Sequence, residues 1–228
     1  MDRNDSSGQK RPRRSVSFHI CFLALLFSGS VLPAQAAFLN FTGTFLKPTY
    51  YHNYSTEQIE SMSHIYRASR AMHEPGLTAF ENEVQHNVEV AGMNYGPGKP
   101  LVVWADSVHV DFSITKMNVY VSSQFPEGSC QYRVVLAHEN THVAINDRAF
   151  VKYQSLMKRA LQRDRSIPTK AHPIRVGSME EGKSVIEKRI EGIIVPIFNR
   201  FKEEVLRNNA KIDTSASYRR TQAQCSHW

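Results

Sequence analysis

His138, Glu139 and His142, in the run His138-Glu139-Asn140-Thr141-His142, are the residues of this 228-residue chain best spaced to do chemistry. On a helix, positions four apart differ by about 40° in direction, so both imidazoles face one side and can share one ion. Imidazole nitrogens hold Zn²⁺ at about 2.0–2.1 Å. Glu139 stands about 100° round from His138, beside such an ion rather than on it. A carboxylate placed there can take a proton from a zinc-activated water and pass it to a leaving amide nitrogen. Composition alone yields this pattern in about one such chain in forty, so its context has to carry the reading. Val134, Val135, Leu136 and Ala137 come just before it, and Ile145, Ala149 and Leu156 continue the face of both histidines. That places the motif on a core-facing helix, where two histidines and a glutamate without an ion would be costly to bury.

The elements that must position these residues can be read from periodicity. Ala37 to Tyr54 is rich in Phe, Thr and Tyr and reads as extended, interrupted by Pro48. Thr56 to Met72 has helical spacing and stops at His73-Glu74-Pro75-Gly76. Leu77 to Val90 is read as a second helix, and Gly92 to Pro100 as a loop. Three short β-rich runs follow, Leu101 to Trp104, Val108 to Ile114 and Met117 to Val121. One long helix is expected from Gln131 to about Gln162. A second opens on the capping box Ser178-Met179-Glu180-Glu181 and runs to about Asn208, with a kink at Pro196. The order predicts a single α+β domain, a small antiparallel or mixed sheet followed by a long motif-bearing helix and a C-terminal helix.

Residues 1–36 read as an export signal. Lys10, Arg11, Arg13 and Arg14 form a basic start, Val16 to Val31 an apolar run, and Ala34-Gln35-Ala36 a small-x-small cleavage site. An uncleaved anchor is the alternative, but a span needs about 20 apolar residues. The mature domain is then 37–228, periplasmic or secreted, by either the general or the twin-arginine route. The signal holds much of the +7 net charge, and the rest is scattered, so no nucleic-acid partner is expected. Cys21 leaves with the signal. Cys130 and Cys225 remain and read as one disulfide, since no Cys-x-x-Cys is present.

The run Val135-Leu136-Ala137-His138-Glu139-Asn140-Thr141-His142-Val143-Ala144 resembles the active-site helix of zincin metallopeptidases, nearest in size and layout to small secreted zinc proteases of bacteria. The resemblance implies one zinc on His138 and His142, a general base at Glu139, and an edge strand, Met117 to Val121, that binds substrate in extended form. It also implies a third ligand, which differs between branches of the family. No Gly and third His follow the motif, and Asp147 lies about 180° from His138 on a continuous helix. The branch with a glutamate from a later helix points to Glu187 first, with Glu191 beside it. The branch with an aspartate points to Asp213, close behind, in Asp213-Thr214-Ser215-Ala216-Ser217-Tyr218. Tyr218 is the preferred oxyanion donor over His172 and His227. The expected activity is zinc-dependent hydrolysis of amide bonds in peptides or envelope-associated proteins, cell-wall peptides included. The rival is an exported, non-enzymatic binding domain that keeps zinc as a staple. A structural site closes with four protein ligands, whereas a catalytic one leaves a place for water.

Overall fold

The computed structural model describes residues 38–66 and 75–228; the expected export signal at 1–36 and the His73-Glu74 stop lie outside them. In chain order the elements are β1 (Phe38–Phe45), β2 (Thr49–Tyr51), α1 (Thr56–Tyr66), β3 (Gly76–Asn94), β4 (Leu101–Val121), α2 (Cys130–Arg163), β5 (Ile174–Val176), α3 (Met179–Ile212) and α4 (Ser215–Gln222). Among the described residues this is a mixed five-stranded sheet with four helices, and no helix is long and apolar enough to cross a membrane.

β4 is the axis of the sheet. β3 runs antiparallel to it along its whole length, while β5, β1 and β2 line its other edge at Leu101–Val103, Ser107–Ile114 and Asn118–Tyr120, the last two in parallel. The three separate runs read from the sequence are one strand. Its register against β3 skips Asp106 and Thr115, so a β-bulge sits at each apparent break.

Leu77 to Val90 is not a helix but most of β3. Its glutamates and Gln85 suit a helix, yet Val84, Val88 and Val90 alternate with Glu83, Gln85 and Glu89, and pairing with β4 decides the outcome. The edge expectation also changes. Met117 to Val121 lies between β3 and β2 and is interior, not an edge strand.

One face of the sheet is apolar and carries α2 and α3. Phe112 of β4 meets Phe150 of α2 at 4.8 Å between ring centroids and Phe201 of α3 at 5.1 Å. The opposite face is polar along most of its length, with Ser107 donating to Glu89 and Ser113 to Asp111. At the Gly76 end both faces are covered. Leu77 and Ala79 pack with Ile59 of α1, while Thr78 turns to α2.

Each long helix starts where its cap requires. The Ser129 hydroxyl accepts from the Tyr132 N–H at the head of α2, and the Ser178 hydroxyl from the Glu181 N–H at the head of α3. Glu181 reaches back to the Gly177 N–H, and α3 continues as one helix through Pro196. Gly182 lets α3 approach the sheet, because a Cβ there would come within 2.7 Å of Val103 Cγ1.

The two long helices are antiparallel. Moving toward the start of α2, side-chain pairs step from Tyr153–Phe201 to His142–Asn209 and His138–Asp213, while Arg189 reaches Ser166 beyond the far end of α2. The expected disulfide is present, joining Cys130 at the first residue of α2 to Cys225 just beyond α4. It spans 95 residues, for which loop entropy gives about 4–5 kcal/mol. Changing both cysteines to serine is expected to lower unfolding free energy by about 2–5 kcal/mol in denaturant titration, and an unmoved midpoint would contradict this.

Candidate metal centre

The buried stripe of α2 changes character along its length. Leu161, Met157, Tyr153, Phe150 and Ala149 are apolar or aromatic, and the same stripe then continues as Asn146, His142 and Glu139. Glu139 is 1 % exposed and His142 2 %. Leu156, expected on this face, is instead partly exposed, as is Asp147.

The end of α3 closes the site. Asn209 and Asp213 stand one turn apart, and Asp213 caps the helix through its N–H to the Asn209 carbonyl. Asp213 Oδ1 lies 2.9 Å from His142 Nε2 and 3.3 Å from His138 Nε2. The ligand atoms of His138, His142 and Asp213 all fall within 4.8 Å of one another. A tetrahedral ion bound at about 2.0–2.2 Å holds its ligand atoms roughly 3.3–3.5 Å apart, so these separations suit one ion.

The tautomer of His142 sharpens the fit. Its Nδ1 lies 3.0 Å from Asn209 Oδ1, an acceptor, so Nδ1 donates there and Nε2 is the nitrogen turned to Asp213. That Nε2 is buried, and the polar atom it faces is Asp213 Oδ1, at 2.9 Å. At 2.9 Å from a carboxylate oxygen, Nε2 calls for positive charge between the two atoms, supplied by a proton or by a metal ion. Burial alone would lower the His142 pKa, but contact with the Asp213 carboxylate, the charge of Glu139 and the Asn209 hydrogen bond outweigh it and raise the pKa above its ordinary value. The pocket favours positive charge at this point. Asn209 holds the ring as outer partners of metal-bound histidines do.

Glu139 is beside this cluster but turned to β3. Its Oε2 accepts from the Thr78 hydroxyl at 2.9 Å. A cleft opens at its side, lined by Pro75, Gly76, Val135, His138, Tyr218, Thr221, Gln222 and Trp228. α4 starts at the Thr214 cap and brings in Tyr218, whose ring centroid is 5.2 Å from that of His138 and whose hydroxyl donates to Asp213 Oδ1 at 3.4 Å.

Of the residues singled out from sequence, the structure therefore brings together His138, Glu139, His142, Asp213 and Tyr218. It does not bring Glu187. That residue is 22 positions before Asn209 on the same helix, about 33 Å along its axis, and pairs with Lys183 at 3.7 Å. Antiparallel packing carries it toward the tail of α2, away from His138. Glu191 is exposed near His86, and His172 and His227 are exposed as well. Asn209 and Thr78 were missed by the sequence reading. The signal for Asn209 was its i, i+4 spacing to Asp213; none pointed to Thr78.

No protein-family model, curated protein or solved structure matches this chain.

Proposed function

We propose that the chain is an exported, zincin-like zinc peptidase whose metal is held by His138, His142 and Asp213, with Glu139 as general base. The observation that carries this reading is the meeting of His138, His142 and Asp213, whose ligand atoms lie within 4.8 Å of one another, with Asn209 holding the His142 ring from its other nitrogen. The donor set, two imidazoles and one carboxylate, is of the kind that binds zinc and leaves a fourth position for water. Bound zinc would supply a Lewis acid that acidifies water and polarises an amide carbonyl.

The protein's own groups account for the remaining chemistry. Glu139 accepts the proton of the attacking water and returns it to the departing nitrogen. Its carboxylate borders the cleft, within reach of a scissile bond lying there. Tyr218, held by α4 and the disulfide, donates its hydroxyl to the oxyanion formed as the carbonyl is attacked. Thr221, Gln222 and Trp228 line the cleft with side chains that carry no charge, which suits a peptide substrate.

The test is hydrolysis of a broad peptide panel by the purified chain, with and without a chelator. Cleavage that stops on chelation and returns with added zinc is the expected result. An absence of cleavage by the unmutated, zinc-loaded protein across the panel would contradict the proposal.

A further inference from the structure

Glu139 is held from the sheet as well as by its own helix. Thr78 lies in β3, its side chain is buried, and its Oγ1 is 2.9 Å from Glu139 Oε2 and 3.1 Å from the Glu139 carbonyl oxygen. Two residues earlier on the same face, Gly76 leaves room for the other oxygen. A Cβ there would lie 2.7 Å from Glu139 Oε1 and 2.9 Å from its Cγ. The carboxylate is thus tied at one oxygen, while the other has no side chain of residue 76 against it. Valine would fill the place of Thr78 without a hydroxyl to bury, so the hydroxyl is retained against a desolvation cost that its bond to Glu139 offsets.

We infer that Thr78 is a positioning residue for Glu139, an inference that rests on Glu139 being the general base. A hydroxyl has one proton to give and two lone pairs to accept with. While Glu139 is ionised, Thr78 donates to Oε2 in a charge-assisted bond. Once Glu139 holds at Oε1 the proton taken from water, Oε2 is a carbonyl oxygen that still accepts from Thr78, with the Glu139 main-chain carbonyl at 3.1 Å as a second acceptor for the same hydroxyl. One side chain therefore keeps Glu139 in the same rotamer through both halves of the proton transfer. Oε1 is left to face the reacting water.

The test uses the full, disulfide-closed, zinc-loaded chain and the best-cleaved peptide of the panel. Thr78→Val is expected to keep one zinc per chain and a KM within about twofold, while kcat falls about 10- to 100-fold. Thr78→Ser is expected to recover most of the loss, because it restores the hydroxyl. A Thr78→Val kcat equal to that of the unmutated protein, or a Thr78→Ser variant as slow as Thr78→Val, would overturn the inference. Should the valine variant not fold, Thr78→Ala takes its place in the same comparison. If the unmutated protein cleaves nothing, the hydrolytic reading fails on its own, and positioning is read from crystal structures. Glu139 in one rotamer beside Thr78 and turned away in Thr78→Val supports the inference; the same rotamer in both overturns it.

Discussion

Asp213→Ala is expected to strip the metal from the protein, while Glu187→Ala leaves it in place. Asp213 Oδ1 is the atom that both His138 Nε2 and His142 Nε2 approach. Without it two imidazoles remain, and the ion loses its only negative ligand in the cluster. Loss of an outer-shell partner costs about 10- to 100-fold in affinity, so loss of this ligand is expected to exceed about 100-fold in competition with a chelator. Asp213→Asn keeps the shape of the side chain, and the helix cap is a main-chain bond, so this variant separates lost ligation from lost folding. Circular dichroism of the metal-free forms checks that separation. Zinc retained by Asp213→Ala and lost by Glu187→Ala would reverse the assignment.

The second large effect is on turnover rather than on metal. Glu139→Gln is expected to hold one zinc per chain and to lose about 10²- to 10⁴-fold in kcat, the range general-base catalysis contributes. Glutamine fills the same space and can still accept from Thr78, but it cannot carry the proton. KM is expected to change little, because Glu139 acts on the water. Loss of zinc from this variant would make Glu139 a ligand. Undiminished cleavage would remove it from the chemistry.

The motif was legible because its information is local. Four-residue spacing on a helix fixes His138 and His142 on one side whatever else the chain does. The disulfide was legible from two cysteines and an expected export signal. The third ligand was not, because it depends on how α2 and α3 pack. Two 34-residue helices joined by the connector 164–178 fold back on each other, so residues far from the connector on one helix meet residues far from it on the other. His142 lies 21 residues before the end of α2, which selects the end of α3 and not Glu187 near its start. β3 failed for a related reason. The run Glu81-Asn82-Glu83-Val84-Gln85 satisfies helical and strand periods about equally, and only the partner strand breaks the tie. The breaks in β4, by contrast, were visible in the sequence and read as gaps between three separate runs, since a bulge and a strand end both interrupt an apolar run.

Zinc K-edge absorption on the full chain, purified without added metal or chelator, tests the central claim most directly. The account predicts one zinc per chain, with two imidazole nitrogens and light oxygen ligands at about 2.0–2.2 Å, one oxygen from Asp213 and one exchangeable with solvent. Protein without zinc, or zinc closed by four protein ligands with no exchangeable position, would contradict it.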